Sequence, residues 1–321
     1  MTLSRKPITK DQLRDWAASA QIKFLDAVMR CGAWKPHEIA FHGGTSLHMS
    51  WASPRFSEDL DFLVDKAYAE KLPKIIKQIE RGMREQFLVE DLGISIEIRN
   101  KTKNDSRLGN FHIVVSREGV IGNSMVKAEF WMVDADYLKN YPTTFRTPMV
   151  PGHVVARVTM PIPAAELTVA YADKLTAFAT RPFLKWRDLY DLWWLGTQAR
   201  AVSDPASPET ITQFLHNLSG YKTPDGMSPA AALSRFHAYK QDDLVTLAEA
   251  DLKRWLPPKH WESLKAAGGV QDIIHYVDES LRKVEKALES REQINEQEPN
   301  AVVHAQVSQS ALKPKPKRSK P

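Results

Sequence analysis

Asp59 and Asp61 are the residues whose type and spacing most clearly suit catalysis. They lie two positions apart in DLDFLVD, a segment typical of a β-strand. Because side chains alternate between the faces of a strand, both carboxylates point the same way while Leu60 and Phe62 turn toward a core. Carboxylate pairs of this kind suit Mg²⁺ or Mn²⁺ and hold the cations of phosphoryl-transfer sites. The pair therefore predicts a divalent cation site.

A glycine pair, Gly43 and Gly44, precedes this strand and follows a short apolar run, EIAFH. Glycine allows a backbone to approach a phosphate closely. A helix that begins near Thr45 and Ser46 would direct free N–H groups and a positive dipole end toward the same point. The order of strand, GGTS turn, helix and acidic strand predicts a phosphate-binding turn beside the cation site.

A further carboxylate on a neighbouring strand could share this cation site. Two glutamates are candidates, Glu97 in the alternating segment ISIEIRN and Glu129 in SMVKAEFWMV. Each would lie on the polar face of its strand. Periodicity leaves the choice between them open, and either could simply face solvent.

Lys174, Asp188 and Asp191 are further candidates in the helical part of the sequence. Lys174 falls on the apolar stripe of a helix predicted over 164–180, where it either extends to water or meets phosphate oxygens in a cleft. Arg187 and Asp191 are four residues apart, and an ion pair at this spacing contributes only about 0.2–0.5 kcal/mol. Because so little stability is involved, a role in a site is a reasonable hypothesis.

The predicted elements that position these residues change along the sequence, from a mixture of strands and helices to helices alone. A helix over 9–31 precedes strands and a helix over 67–87, and strand patterns dominate until the proline-rich stretch 142–163. Helical periodicity follows. The predicted helices span 164–180, 187–199, 208–217, 228–238, 241–254 and 270–292. We expect an α/β (α+β) domain with a small mixed sheet over 1–160, a helical domain over 161–292 and a disordered basic tail over 293–321.

Composition excludes several classes of protein. The single cysteine, Cys31, cannot form an internal disulfide, and the sequence has no apolar run long enough to span a membrane. We therefore expect a cytoplasmic protein without a membrane partner. The net charge of +5 equals the five basic residues of the last nine, KPKPKRSKP, so the rest is formally neutral. This tail either aids solubility or adds weak, salt-sensitive attraction to nucleic acid.

The segments HGGTSL and PRFSEDLDF together resemble the first motif of the polymerase β-like nucleotidyltransferases. The similarity is greatest to the AbiEii/AbiGii toxins of type IV toxin–antitoxin and phage-exclusion systems, and it is close over residues 42–62. Arg55 and Ser57 stand where that family has an arginine and a serine. ADKL at 172–175 resembles the family's lysine motif, and RDLYDL resembles its RD and DL motif.

The resemblance implies a polymerase β-like nucleotidyltransferase domain followed by a helical domain, and a magnesium-dependent activity. It favours Glu129 as the third metal ligand beside Asp59 and Asp61. It implies that the GGTS turn, Arg55, Ser57, Lys174 and Arg187 bind the nucleoside triphosphate. It also implies that Lys174 and an acidic residue of the RDLYDL segment take part in catalysis, and Asp188 and Asp191 are both candidates for that residue. It further implies transfer of a nucleoside monophosphate to an acceptor hydroxyl, a tRNA 3′ end in related toxins, and an antitoxin encoded nearby that need not bind the toxin.

Two alternatives remain at this stage. The same chemistry could modify a small molecule or a protein. A module that binds nucleotide or RNA without catalysis, with help from the basic tail, would belong to another class.

Overall fold

The computed structural model describes residues 6–103, 107–150 and 160–310, with side chains as far as residue 294. Nine strands lie within these ranges. They are β1 (Lys6–Pro7), β2 (Ile39–His42), β3 (Leu60–Asp65), β4 (Ile94–Asn100), β5 (Leu108–Arg117), β6 (Val120–Ile121), β7 (Ser124–Val133), β8 (Thr143–Arg146) and β9 (Ile162–Ala165).

Seven of the strands form one mixed sheet in the order β4, β5, β7, β3, β2, β9, β8. The pairs β3–β7 and β2–β9 are parallel, and the other neighbours are antiparallel. β1 and β6 form a small parallel ladder outside this sheet. The central position of β3 places the predicted acidic strand between β2, which ends at the glycine pair, and β7, which carries Glu129.

Eleven α-helices lie within the described ranges. They are α1 (Lys10–Gly32), α2 (Gly43–Trp51), α3 (Leu72–Glu90), α4 (Ala135–Lys139), α5 (Leu167–Thr180), α6 (Trp186–Trp193), α7 (Pro208–Leu218), α8 (Pro229–Ser234), α9 (Gln241–Ala250), α10 (Pro258–Ala266) and α11 (Gly269–Ser310). Short 3-10 turns occupy Lys66–Tyr68, Pro224–Gly226, Arg235–Ala238 and Leu252–Trp255, and a π-turn, Trp194–Gln198, extends α6.

The core beneath the sheet explains why the acidic side chains of β3 face the other way. Leu60 and Phe62 are fully buried against α1 and α3, and the ring of Phe62 stacks on that of Phe130 at 4.7 Å. Phe62 and Phe130 are partners in the parallel register, as are Asp61 and Glu129. Alternation along both strands therefore brings Asp61 and Glu129 together on the opposite face of the sheet.

A second, larger apolar cluster lies among the helices after residue 167. It includes Trp186, Leu189, Phe214 and Trp261, and α11 contributes a long apolar stripe to it. Leu47 of α2 belongs to this cluster, although it comes from the sheet-forming part of the chain. The helix that follows the glycine pair is thus packed against the helical region.

The predicted architecture, a small mixed sheet with helices and a helical C-terminal region, is confirmed. Most predicted helices also begin or end within a few residues of an observed helix. The division into domains at residue 160 stays a prediction. Residues 293–310 of the predicted tail continue helix α11, and its basic end, 311–321, lies outside the described residues.

Several element boundaries in the sequence prediction were wrong. The stretch 142–163 contains two strands, β8 and β9, and residues 162–165 extend the sheet instead of starting α5. β9 pairs with β2 only at Phe41 and Ala164, and it pairs with β8 over four residues, where Pro163 lies opposite Phe145. Helix α10 was missed; it begins at Pro258, and proline suits the first turn of a helix.

Candidate active site

A polar cleft of about 330 Å³ lies between the sheet and the helical region. Strands β2, β3 and β7 line one side, and helices α5 and α6 line the other. Most of the predicted site residues reach it: Gly43, Gly44, Arg55, Ser57, Asp59, Asp61, Glu129, Lys174, Arg187 and Asp188. His42, which was not predicted as a site residue, also lines it. The structure therefore brings together segments that are more than one hundred residues apart in the sequence.

At both positions of the glycine pair, a residue with a side chain would clash with its surroundings. Gly43 adopts a left-handed backbone (φ +76°), and a Cβ atom there would lie 2.4 Å from Oδ2 of Asp61. A Cβ on Gly44 would lie 2.2 Å from Nη2 of Arg55 and 2.9 Å from Oγ of Ser57. Both glycines thus leave space for side chains of the site, and α2 begins immediately at Gly43 with its first N–H groups unbonded within the helix.

Thr45 and Ser46, in contrast, hold the turn in place. The hydroxyl of Thr45 donates to the carbonyl of Asp59, and Oγ of Ser46 donates to the carbonyl of Phe41 at 3.1 Å. Both side chains are buried. The predicted contribution of these two residues to nucleotide binding can therefore involve only their backbone N–H groups.

The ionised form of the Asp61 carboxyl is disfavoured in the folded chain. Burial raises the pKa of its carboxyl, and the nearby carboxylates of Asp59 and Glu129 raise it further, while His42 and Lys174 oppose them. An accumulation of negative charge of this kind is what a bound cation would relieve.

The two glutamates considered as third ligand lie in different places. Glu129 lines the cleft, and its Oε1 is 2.5 Å from Nζ of Lys127. Glu97 lies on the edge strand β4, exposed to solvent and ion-paired to Arg99 at 2.7 Å. The position of Glu129 agrees with the choice that the family resemblance favours, and Lys127 is a cleft residue that sequence reasoning missed.

Arg55, Asp191 and Lys174 form a buried ionic group beneath the cleft. Nε and Nη2 of Arg55 lie 2.7 and 2.8 Å from the two carboxylate oxygens of Asp191, which is fully buried. Nζ of Lys174 lies 2.8 Å from Oδ2 of Asp191. Burial by itself would raise the pKa of Asp191, but the two cations hold it below its ordinary value. Burial lowers the pKa of Lys174, and Asp191 opposes that shift.

Asp188 lies closer to the cleft than Asp191. It lines the cleft wall, 3.5 Å from Nζ of Lys174 at Oδ1, and its other oxygen accepts a hydrogen bond from Arg181. Arg181 is a second cleft cation that sequence reasoning missed, because it follows the last turn of α5 with no motif around it. Lys174 is thus bound by both aspartates of the RDLYDL segment.

The polar face of α5 looks into the cleft. Asp173, Thr176 and Thr180 line it, although amphipathic periodicity alone suggests a solvated face. Oδ2 of Asp173 lies 3.6 Å from Nδ1 of His42 and accepts a hydrogen bond from the Tyr141 hydroxyl at 2.5 Å. Burial would lower the pKa of His42, but Asp173 and Asp61 raise it above the ordinary value.

The family resemblance implies a divalent metal, and the donors present fit one. The described part of the chain contains no group of three or more His, Cys, Asp or Glu side chains placed to hold a metal ion. Mg²⁺, however, is usually held by one or two carboxylates together with substrate phosphates and water. Asp59 and Asp61 supply such a pair of hard oxygen donors in the cleft, and burial, with a smaller contribution from Asp59 and Glu129, raises the pKa of Asp61, which a bound cation would oppose.

A glycine turn at a helix N-terminus, two carboxylates at the start of β3 and an opposing lysine thus meet in one cleft, an arrangement that suits a cation and the phosphates of a nucleotide. The sequence model of the "Nucleotidyl transferase AbiEii toxin, Type IV TA system" family matches residues 24–289. The chain belongs to this family and is a nucleotidyltransferase. Membership in a type IV toxin–antitoxin family implies a nucleoside triphosphate substrate and an antitoxin.

Solved structures with a similar chain trace include JHP933 from Helicobacter pylori, at 15% identity and a TM-score of 0.49, covering 92% of this chain and 99% of that one. Another is MenT4, a nucleotidyltransferase toxin from Mycobacterium tuberculosis, at 18% identity and a TM-score of 0.40, covering 82% of this chain and 92% of that one. No curated protein matches the chain. Within the described residues, no helix combines the length and apolarity that crossing a membrane requires.

Proposed function

We propose that this nucleotidyltransferase is a metal-dependent toxin that transfers a nucleoside monophosphate from a nucleoside triphosphate to a hydroxyl of RNA, most specifically a tRNA 3′ end, and so blocks translation. The observation that carries the proposal is the convergence of the Gly43–Gly44 turn, the Asp59–Asp61 pair and Lys174 on one cleft. Its substrates place it in the cytoplasm, where triphosphates and tRNA are abundant.

The acidic side of the cleft would hold the cation. Asp59 and Asp61, with Glu129 once it is released from Lys127, would bind Mg²⁺ or Mn²⁺. When bound, the cation neutralises charge on the triphosphate and lowers the pKa of the attacking hydroxyl.

The basic side of the cleft would hold the triphosphate. The N–H groups at the start of α2 and the side chains of Lys174 and Arg187 face the space where the phosphates would bind. Attack of the acceptor oxygen on the α-phosphorus forms a new P–O bond, and cleavage of the bond to the β-phosphate releases pyrophosphate. The residues contribute mainly by positioning and charge neutralisation.

Asp188 and Asp191 would have separate roles in this scheme. Asp188, on the cleft wall, would orient Lys174 and Arg181 toward the phosphates. Asp191 would not contact the substrate. It would bind Arg55 and Lys174 beneath the cleft and hold both side chains in position. Ser57, beside Gly44, would contribute a hydroxyl to the turn.

RNA is favoured over a protein or a small molecule by the resemblance to toxins that act on tRNA 3′ ends. Six basic side chains line the cleft, Arg55, Lys127, Lys174, Arg181, Lys185 and Arg187, against five acidic ones, Asp59, Asp61, Glu129, Asp173 and Asp188. Because these charges nearly balance, the charge of the cleft does not select the acceptor, and the acceptor is decided by experiment.

Transfer of radiolabel decides between these acceptors. The purified protein is incubated with Mg²⁺ and each of the four α-phosphorus-labelled triphosphates, together with total bacterial RNA, a protein extract or no acceptor. We expect pyrophosphate release and label that becomes soluble on ribonuclease treatment, and we expect neither with Asp59→Ala or Asp61→Ala.

Label in protein, or in a low-molecular-weight product alone, would refute the RNA acceptor while leaving nucleotidyl transfer intact. Growth arrest on expression of the wild type, relieved by co-expression of the neighbouring antitoxin gene, tests the toxin role separately. Growth arrest that persists in Asp61→Ala would show that catalysis is not its cause.

A further inference from the structure

A second cavity, of about 250 Å³, adjoins the active cleft on the side of the helical region. It lies between the loop that joins α5 to α6, residues 181–185, and the turn that follows α8, residues 235–239. Arg181, Lys185 and Asp188 line both cavities, so the two spaces share a wall of charged side chains. No residue of the predicted phosphate-binding turn or acidic pair takes part in it.

Four aromatic side chains line this second cavity. Phe178 and Phe236 are buried and form the floor, with ring centroids 5.7 Å apart in an edge-to-face arrangement. Phe183 and Tyr239 form the rim and are 60% and 40% exposed. Exposing a phenylalanine and a tyrosine to water is unfavourable, and fold stability does not require it because neither ring belongs to the apolar cluster of the helices.

The charged groups around the rim are arranged for an anionic ligand. Nζ of Lys185 lies 5.5 Å from the ring centroid of Phe183, and burial together with repulsion by Arg181 and Arg187 lowers the pKa of Lys185. Arg235 is already engaged, since its Nη2 donates to the carbonyl of Arg181 at 2.8 Å and steadies the loop. Two cations, Lys185 and Arg181, of which Arg181 donates a hydrogen bond to Asp188, therefore lie between the aromatic cavity and the cleft.

We propose that this cavity, bounded by Phe178, Phe183, Phe236 and Tyr239, binds an unpaired nucleobase stacked on its exposed rings, while Arg181 and Lys185 contact the adjoining phosphate. Aromatic rings beside cations are the usual means by which proteins bind single-stranded nucleic acid. The cavity is smaller than the roughly 300–1,000 Å³ of clefts for drug-sized ligands, which suits a single planar ring system. This inference rests on the proposed function, in which a strand end must approach the cleft.

The nucleobase could come from the acceptor strand or from the triphosphate, and the two sources can be separated by binding alone. Fluorescence anisotropy measures the affinity of a short single-stranded oligoribonucleotide and of the same oligonucleotide with an abasic 3′ nucleotide. Calorimetry with Mg²⁺ measures the affinity of a non-hydrolysable nucleoside triphosphate and of ribose triphosphate. Removing the base leaves the phosphates, so each comparison isolates the stacking contribution.

We expect the wild type to prefer one intact ligand over its baseless counterpart by about tenfold or more. Phe183→Ala and Tyr239→Ala should abolish that preference, and Phe183→Trp should retain it. Phe145→Ala is the matched control, since Phe145 is 63% exposed and lines neither cavity. A preference in the oligonucleotide pair assigns the base to the acceptor, and one in the triphosphate pair assigns it to the nucleotide.

The inference is overturned if the wild type binds intact and baseless ligands equally well in both pairs, or if Phe183→Ala and Tyr239→Ala keep the preference. Because the rim rings are exposed, these variants should fold as the wild type does, which circular dichroism checks. The outcome is independent of pyrophosphate release. If the wild type transfers no nucleotide but still binds intact ligands better than baseless ones, the catalytic proposal is refuted and the nucleobase site is still supported.

Discussion

At the scale of single residues, Asp188 and Asp191 have different surroundings although they are one helical turn apart. Asp191 is sealed beneath the cleft by Arg55 and Lys174, whereas Asp188 faces the cleft and Arg181. The sequence offered no means to separate them, because both fit the family motif and both fall on one helix. The distinction depends on Arg55, which comes from a loop 136 residues earlier in the chain.

Asp191→Ala should destabilise the fold by about 3–5 kcal/mol, because it leaves Arg55 and Lys174 as buried charges without their shared carboxylate. Urea denaturation measures this loss of unfolding free energy. Glu97→Ala, which breaks an exposed ion pair with Arg99, is the control and should leave the free energy nearly unchanged. Equal effects of the two substitutions would contradict the anchoring role of Asp191.

The stabilisation by Asp191 should depend on pH in acid. Its pKa in the folded chain lies below the ordinary value of 3.8, so the unfolded chain binds this proton more tightly than the folded one. The contribution is fully present above the unfolded pKa and is lost as pH falls through the folded pKa. Acid unfolding of Asp191→Ala should therefore show a smaller loss of stability across that range than the wild type, and parallel curves would contradict this.

At the scale of elements, the turn between β2 and α2 is the feature that the sequence predicted best. The order of strand, glycine pair, helix and acidic strand is as predicted, although α2 begins at Gly43 and not near Thr45, and Asp59 directly precedes β3. Periodicity succeeds here because the constraint is local: the left-handed turn and the strand alternation act within a few residues. The same logic identified Lys174 as an inward-facing lysine, and it is buried.

Local sequence patterns did not predict the features that depend on contacts between distant segments of the chain. Asp173 looked solvated on its helix, but Tyr141 and His42 meet it across the cleft. Lys127 and Arg181 carry no motif and enter the site only because the sheet and the helices are packed together. Strands β8 and β9 were missed for a related reason, since their short segments gain stability from pairing with each other and with β2.

Gly43→Ala should reduce activity strongly and destabilise the fold by about 1–3 kcal/mol. The new Cβ would occupy a left-handed position and displace the Asp61 carboxylate. Pyrophosphate release and thermal unfolding measure the two effects. Gly82→Ala is the matched control, because Gly82 lies within α3 with open space at its Cβ position, and alanine there should stabilise the helix by roughly 0.5–1 kcal/mol. Wild-type activity in Gly43→Ala would contradict the role given to the turn.

At the scale of the whole molecule, the site exists only where the sheet and the helical region meet. The sheet supplies the acidic pair and the glycine turn, and α5 and α6 supply Lys174 and Asp188. Leu47 of α2, which packs in the apolar cluster of the helices, and the Arg55–Asp191 pair link the two parts close to the cleft. We propose that these parts are the two predicted domains and that catalysis requires both.

The central claim is that Asp59 and Asp61 bind a divalent cation together with a triphosphate held by the turn. Calorimetric titration of a non-hydrolysable triphosphate, with Mg²⁺ and with a chelator, tests it most directly in the wild type, Asp61→Asn and the control Glu97→Gln. We predict that Mg²⁺ strengthens binding at least about tenfold in the wild type and in Glu97→Gln, and that Asp61→Asn removes this gain while its fold persists. Equal affinity with and without Mg²⁺ in the wild type, or an undiminished gain in Asp61→Asn, would contradict the account.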